Sequence, residues 1–524
     1  MDTQLDRAGG SLTPSGCASA HGQSRAGDDR NSIQLDEAES LCPACGARLL
    51  ARILEREGKV YQRMDCPRCR PVETLIFSDS RLYRKLDAWN AKVFGPDGSE
   101  SGIEHQDDAP LLAVIDITDR CNLKCPVCFA ETDGSPDAYF LDEETIREML
   151  LVIQRRSPVG CTHIQFSGGE PTIHPKFPRI IAMARQMGFD HIQVATNGLL
   201  FGDGGYVSLC ESEGLQTLYL QFDGMNDEVY LKLRGRRLLD KKLRTVENVC
   251  RTNMRIVLVP TVVSSINVDQ IGPIFRFAIE HSRHVTGISM QPAARIGRIP
   301  EPKEDGSPSF NLADMAIEFG KQTGLTRTPE DWFPLNAVSL ITRGLSSLRG
   351  EPLLHAECDA HCSVGTYFFV DRENTATCVN QFLDMEKFFD AVGKLAPTGR
   401  GFLGGRVSRL LQTRQLSSCF DRRGAPAGLT FERLLHGLDG WEDKSVGRAP
   451  DWDQRGFNGL FVAGMHFMDP YNYNLRRLNR CIIKYVTTDG KIVPFCSYNA
   501  GERYRTVEEN RRAAAVSQSP RSPS

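Results

Sequence analysis

The chain has 524 residues, more than one ordinary core accommodates, so two or three domains are expected. With 40% hydrophobic and 25% charged residues it reads as a soluble globular protein, and a net charge of −3 argues against the basic footprint of a nucleic-acid partner. No apolar run reaches the ~20 residues of a membrane span, and the first thirty residues hold no apolar signal core, so a cytoplasmic address is expected.

Residues 1–38 are rich in Gly, Ser, Asp and Arg without periodicity, and residues 510–524 share that character; both read as disordered tails. Residues 39–92 form a small cysteine-rich module. In it, Cys42-Pro-Ala-Cys45 and Cys66-Pro-Arg-Cys69 are two C-x2-C knuckles separated by twenty residues, and four thiolates in two such turns make a closed tetrahedral site. Zinc and a single iron both accept four sulfurs, so a zinc ribbon and a rubredoxin-like site both stay open. Residues 93–109 read as a linker.

From 110 to 300 the pattern is strand, loop, helix, repeated. Apolar runs lie at 112–117, 163–166, 191–195, 217–222, 256–263 and 286–290, with amphipathic stretches such as 142–156 and 269–281 between them. Short strands alternating with helices predict a parallel α/β sheet or partial barrel, whose chemistry sits at the carboxyl ends of the strands. The first strand runs into Asp119-Arg-Cys121-Asn-Leu-Lys-Cys125-Pro-Val-Cys128-Phe129. Three thiolates at C-x3-C-x2-C can hold a four-iron cluster with one iron open; the plain alternatives are a zinc knuckle short of one ligand or three free thiols in a turn. After the second strand, Ser167-Gly168-Gly169-Glu170 combines close backbone approach with a carboxylate able to accept from an ammonium group. Asn197, then Gln221 and Asp223, then Arg234 follow at the ends of the next elements; each alone is equally an ordinary turn residue.

Beyond 300 the alternation is lost. Residues 301–509 carry helical patterns at 312–323 and 335–348, then Cys358-Asp-Ala-His361-Cys362, Cys378, Cys419, Cys481 and Cys496. Scattered thiols after a barrel are the pattern of auxiliary clusters, with Asp359 and His361 in reserve for a gap. Cys161, Cys210 and Cys250 stand alone and read as buried free thiols. With seventeen cysteines grouped in short units and no signal peptide, metal binding is expected rather than disulfides. Residues 406–416 read either as a short basic amphipathic helix suited to an anionic membrane surface, making the protein peripheral, or as a solvated insertion helix.

The three-cysteine loop, the Gly-Gly-Glu turn and the ordered polar turns resemble the radical S-adenosylmethionine (SAM) superfamily. That resemblance implies a partial (β/α)6 TIM-like barrel, a 4Fe-4S cluster on Cys121, Cys125 and Cys128, and SAM held by Gly168, Gly169, Glu170, Asn197, Gln221, Asp223 and Arg234. The position before the third cysteine, often aromatic in the superfamily, is Val127, so the adenine contact would be backbone-led or come from another side chain. The front knuckles together with Asp469-Pro-Tyr-Asn-Tyr-Asn474, Arg480-Cys481 and Pro494-Phe-Cys496-Ser-Tyr-Asn499 resemble the tetraether lipid synthase group, formerly described as methyltransferases of a pterin precursor. This implies a rubredoxin-like iron on Cys42, Cys45, Cys66 and Cys69, and one or two auxiliary 4Fe-4S clusters on Cys358, Cys362, Cys378, Cys481 and Cys496 in a SPASM-like region. It also implies a ferredoxin or flavodoxin as reductant and the coupling of lipid chains carbon to carbon. A pterin-precursor methyltransferase or a peptide-modifying enzyme are the alternatives.

Overall fold

The computed structural model describes residues 31–95, 110–130, 138–156, 160–299, 310–349, 356–393, 414–434 and 456–500. Most of the 406–416 segment lies outside these residues. Among the described residues no helix is long and apolar enough to cross a membrane.

Strands β1 (Ile33–Leu41), β2 (Arg48–Arg56), β3 (Lys59–Met64) and β4 (Val72–Phe77) form an antiparallel sheet in sequence order. Glu57 and Gly58, with φ of 52° and 72°, make the tight β2–β3 turn whose positive dihedrals match the strand twist. The other two connections carry the cysteine knuckles, so the sheet delivers both to the same end. Helix α1 (Ser80–Phe94) starts at Asp79, whose carboxylate accepts from the Arg81 amide at 2.8 Å, and buries Leu82, Leu86, Trp89 and Val93 on one face.

The barrel alternates β5 (Leu112–Thr118), α2 (Glu143–Gln154), β6 (His163–Gly168), α3 (Phe177–Gln186), β7 (His191–Thr196), α4 (Gly204–Glu213) and β8 (Thr217–Gln221). It continues through α5 (Asp227–Arg234), α6 (Leu239–Val249), β9 (Arg255–Val259), β10 (Thr261–Val262), α7 (Ile271–Glu280) and β11 (Val285–Pro292). From β5 through β9 to β11 neighbouring strands pair in parallel, as the six apolar runs predict. Residue parity assigns the faces. Ile164, Phe166, Ile192, Val194, Leu218 and Leu220 join the apolar core under the helices, while Gln165, Gln193 and Tyr219 line the barrel interior.

The region after 300 adds α8 (Leu312–Thr323), β12 (Phe333–Pro334), α9 (Val338–Arg349), β13 (Ser363–Val370), β14 (Ala376–Cys378) and α10 (Met385–Gly393). It ends in β15 (Asn458–Met465), β16 (Ile483–Val486) and β17 (Ile492–Pro494). Far from forming a sheet apart, it widens the barrel sheet at both edges: β15 pairs in parallel with β11, and β16 in parallel with β5. The N-terminal sheet docks on this region. Ser40 Oγ and Gln62 Nε2 donate to the Tyr473 carbonyl at 2.7 and 3.0 Å, and Arg476 pairs with Asp36 at 2.6 Å.

The carboxyl ends of β5 and β6 are pressed together at Gly168. Its φ is 123°, and a Cβ there would lie 1.9 Å from the Thr118 carbonyl oxygen. Gly168→Ala is therefore expected to force the two strand ends apart at a cost on the order of 3 kcal/mol, read as a lowered midpoint in anaerobic denaturant titration.

Candidate active site and metal centres

One cavity of about 540 Å³ opens at the carboxyl ends of the barrel strands. Cys121, Cys125 and Cys128 line it, together with Gly168, Gly169, Glu170, Asn197, Gln221 and Arg234; of the predicted SAM contacts, Asp223 alone stands behind the wall. The cysteine loop is fixed by backbone. Cys128 and Arg298 exchange N–H···O bonds of 2.7 and 2.9 Å, the Arg298 side chain donates to the Cys125 carbonyl at 3.2 Å, and the Val127 amide donates to the Leu233 carbonyl at 3.2 Å.

Behind the loop, Arg234 and Asp223 form a buried bidentate pair, with both N–H···O distances 2.7 Å. The remaining guanidinium nitrogen donates to the Val127 carbonyl at 2.7 Å, and the Thr261 amide donates to Asp223 at 3.1 Å. Burial would lower the Arg234 pKa, but the Asp223 carboxylate more than offsets it and holds the guanidinium firmly charged. Asp223 therefore reaches the cavity only through the loop it braces, while Arg234 both braces that loop and lines the cavity.

Glu170 is 1% exposed and accepts from Thr196 Oγ1 and the Asn197 amide at 2.7 Å each, and from Thr172 Oγ1 at 2.5 Å. Burial pushes its carboxyl up despite these donors, so the site favours an arriving cation. Asn197 in turn donates to Asn122 Oδ1, inside the cysteine loop, at 2.6 Å. Burial likewise pushes the Cys121 thiol up to about 12 and raises Cys125, whose rise the Arg234 charge opposes. A metal cluster supplies the positive charge that reverses this preference. Three thiols on a braced loop, facing an open cavity with a buried carboxylate beside them, fit a cluster with one exchangeable site.

Lys242 on α6 went unread in the sequence. It is fully buried, donates to the Asn197 carbonyl at 2.5 Å and to Gln221 Oε1 at 3.1 Å, and burial lowers its pKa to about 8. The signal existed: Thr245, Val246 and Val249, on the buried face, stand three, four and seven positions on. The interior glutamines were also missed, although His163-Ile-Gln165 and His191-Ile-Gln193 repeat the same tripeptide and pair in register.

The Cys42, Cys45, Cys66 and Cys69 sulfurs lie within 4.8 Å of one another, the only such group among the described residues. The Arg68 amide leads in lowering the Cys66 thiol to about 7, while the neighbouring thiols, Cys45 first, push Cys69 up to about 12, so the four sulfurs need a bound cation to ionise together. This donor set fits one tetrahedral ion.

A second set gathers at the docking face. Cys358, Cys362, Cys481 and Cys496 are close enough to act on one another electrostatically, around the Arg477 guanidinium. The Arg477 charge acts on Cys362 and Cys496, its guanidinium donates to the His466 carbonyl at 2.8 Å, and the Met468 amide donates to Cys496 Sγ at 3.4 Å. Cys378 does not join them. It pairs opposite Phe368, six residues and so about 20 Å along β13 from Cys362, and its thiol contacts Thr366 Oγ1 at 3.4 Å. Cys419 sits instead at the Gln415 carbonyl, 3.6 Å away. The two reserve ligands are also engaged elsewhere. His361 stacks on Tyr83 at 4.3 Å, with its ring nitrogens facing Asp359 at 3.0 Å and Asp87 at 3.5 Å.

Residues 115–278 match the model of the radical SAM superfamily, and residues 34–78 match that of the HMPTM N-terminal zinc ribbon domain. The chain is 32% identical over 482 residues to the 7,8-dihydro-6-hydroxymethylpterin dimethyltransferase of Methanocaldococcus jannaschii, covering 90% of this chain and 94% of that protein. It is 31% identical over 271 residues to the Fe-coproporphyrin III synthase of Methanosarcina barkeri, covering 51% of this chain and 60% of that one. Among solved structures, Streptococcus suis SuiB bound to S-adenosylmethionine aligns with a TM-score of 0.34 at 18% identity, over 46% of this chain and 52% of SuiB. None of these matches bears on the tetraether lipid synthase grouping. The chain is a radical SAM enzyme, and it belongs to the family that contains the M. jannaschii dimethyltransferase.

Proposed function

We propose that this enzyme acts on an unactivated C–H bond of a small heterocycle of the pterin class, in the manner of a radical methyltransferase. The observation that carries this reading is the 32% identity running through nearly the full length of both this chain and the pterin dimethyltransferase. The lipid-coupling expectation becomes the second reading. It is favoured by the apolar side wall of the cavity, where Val257, Val259, Ile288, Phe461 and Met465 gather.

The 4Fe-4S cluster and SAM supply, when bound, the reductive cleavage that yields the 5′-deoxyadenosyl radical. Cys121, Cys125 and Cys128 would hold that cluster. Glu170 and the backbone at Gly168 and Gly169 would orient the amino group of SAM, while Asn197 and Gln221, both tied to Lys242, would present polar atoms at the adjoining strand ends. Arg234 and Asp223 would serve by bracing the loop. A ferredoxin or flavodoxin is the class of reductant such a site requires.

Cys358, Cys362, Cys481 and Cys496 make a full set of four for one auxiliary 4Fe-4S cluster, with Cys378 and Cys419 outside it. The match to a zinc ribbon supports zinc on Cys42, Cys45, Cys66 and Cys69.

Anaerobically reconstituted enzyme with SAM and dithionite should release 5′-deoxyadenosine, and Cys125→Ala should abolish it; continued release from the variant would remove Cys125 from the cluster. Metal analysis should find about eight irons and about one zinc per chain. Cys481→Ser should lose roughly half the iron, and Cys378→Ser should lose none. Adding 7,8-dihydro-6-hydroxymethylpterin should accelerate 5′-deoxyadenosine release and give a mass-shifted pterin, whereas acceleration by membrane lipid extract alone would restore the second reading.

A further inference from the structure

The interior of the barrel below the cysteine loop is polar where a packed parallel barrel is ordinarily filled by branched apolar side chains. Gln193 Nε2 donates to Gln165 Oε1 at 2.7 Å, across the paired strands β6 and β7. From β8, the strand next to β7, the Tyr219 hydroxyl accepts from Gln291 Nε2 at 3.1 Å and donates to Ser289 Oγ at 2.7 Å, both on β11. All five residues line the cavity.

These networks are half-satisfied. Among the described residues, neither the Gln165 Nε2 donor nor the Gln291 Oε1 acceptor has a protein partner. The amide orientations follow from the network, and turning an amide over merely exchanges a free donor for a free acceptor. Each wall thus offers hydrogen-bonding capacity to whatever enters.

The Gln165–Gln193 layer carries no charge, whereas Gln291 lies nearer the mouth, in register with Thr261, which Arg234 touches at 3.0 Å. The ionisable acids and bases lining the cavity, apart from its thiols and Tyr219, are Glu170, Arg234 and Arg298. All three belong to the mouth, and both arginines are committed to the cysteine loop or its brace. Burial keeps the Tyr219 phenol protonated. A phosphate or carboxylate brought to this depth would meet no cation, and a plain hydrocarbon chain would leave the amides unpaired.

We infer that Gln165, Gln193, Tyr219, Ser289 and Gln291 form the substrate-recognition site, and that it takes an uncharged heterocycle presenting amide-like donor and acceptor edges. The assignment rests on the heterocycle reading above and deepens it: specificity lies in two neutral networks, one at the Gln165–Gln193 layer and one running from Tyr219 on β8 to Ser289 and Gln291 on β11.

The test is anaerobic fluorescence titration of the reconstituted holoenzyme with 7,8-dihydro-6-hydroxymethylpterin, alongside guanine and lumazine as other neutral heterocycles and GTP as an anionic one. Gln165→Leu and Gln193→Leu should each weaken binding of the neutral probe by about tenfold or more. Gln193→Asn, which keeps the amide, should recover part of it. The EPR signal of the reduced cluster with SAM reports that each variant has folded around its cluster, and Gln165→Met offers a near-isosteric second variant. Wild-type binding of guanine or lumazine that depends on Gln193, with no binding of the pterin, would sustain the recognition site and sink the pterin reading. Pterin binding indifferent to every glutamine variant would overturn the recognition site and leave the pterin reading standing. GTP binding tighter than all neutral probes, or binding of none of them, would also overturn the recognition site.

Discussion

The site depends on a single buried fork, the bidentate pair of Asp223 with Arg234. Isolated in a low-dielectric interior, either charge would be prohibitive, and removing one partner of such a pair typically costs 3–5 kcal/mol. Well-packed apolar residues fill such a space at no loss of stability, so the fork's contribution is geometric. Arg234 fixes the Val127 carbonyl and Asp223 fixes the Thr261 amide, tying the middle of the three-cysteine loop to β10 and to the end of α5. Glu170 and Lys242 complete a group of two buried acids and two buried bases, which keeps the charge beneath the loop balanced before any metal is present.

Around this fork the sheet does two jobs at once. Its outward parity is apolar and fastens the helices; its inward parity is polar from Gln165 to Gln221 and shapes the cavity. Gly168 lets the ends of β5 and β6 close to a distance no side chain permits, placing Glu170 beside the cysteines. The four-cysteine sheet is too small to bury a core of its own. It meets the Tyr473 carbonyl through Ser40 and Gln62, four residues before Arg477, around which the second set of thiols is arranged. The two outer cysteine sites are thereby held as one assembly.

Much of this was legible in the sequence because the signals were periodic or local. The six apolar runs fall on the barrel strands, the fifth covering both β9 and β10, and the knuckles at Cys42 and Cys66 converge as their spacing requires. The edge strands were not legible. β16 has four residues, and β15 reaches its partner β11 only after more than 160 intervening residues, so neither leaves an alternation to follow. Cys378 was grouped with Cys362 because chain distance is short, yet β13 is extended and carries them apart. Lys242 and the glutamine pair were overlooked because polarity was taken as exposure, although helix and strand parity pointed them inward.

The geometry of the two neutral networks also says where a substrate would react. Gln165 lies three residues before Gly168 on the same strand, so a ring seated at the glutamine layer sits about 10 Å below the turn beside the cysteine loop. A flat heterocycle cannot span that distance, but a side chain rising from it can. Val257, level with Tyr219, and Val259 and Phe461 give this rise an apolar side suited to an alkyl or hydroxymethyl substituent. Recognition by hydrogen bonds at depth and reaction at an unactivated carbon nearer the mouth are then compatible demands. The neutral base grips the polar ring, the apolar wall aligns the substituent, and the braced loop holds the radical chemistry above it. Both the polar base and the short rise therefore favour a compact heterocycle.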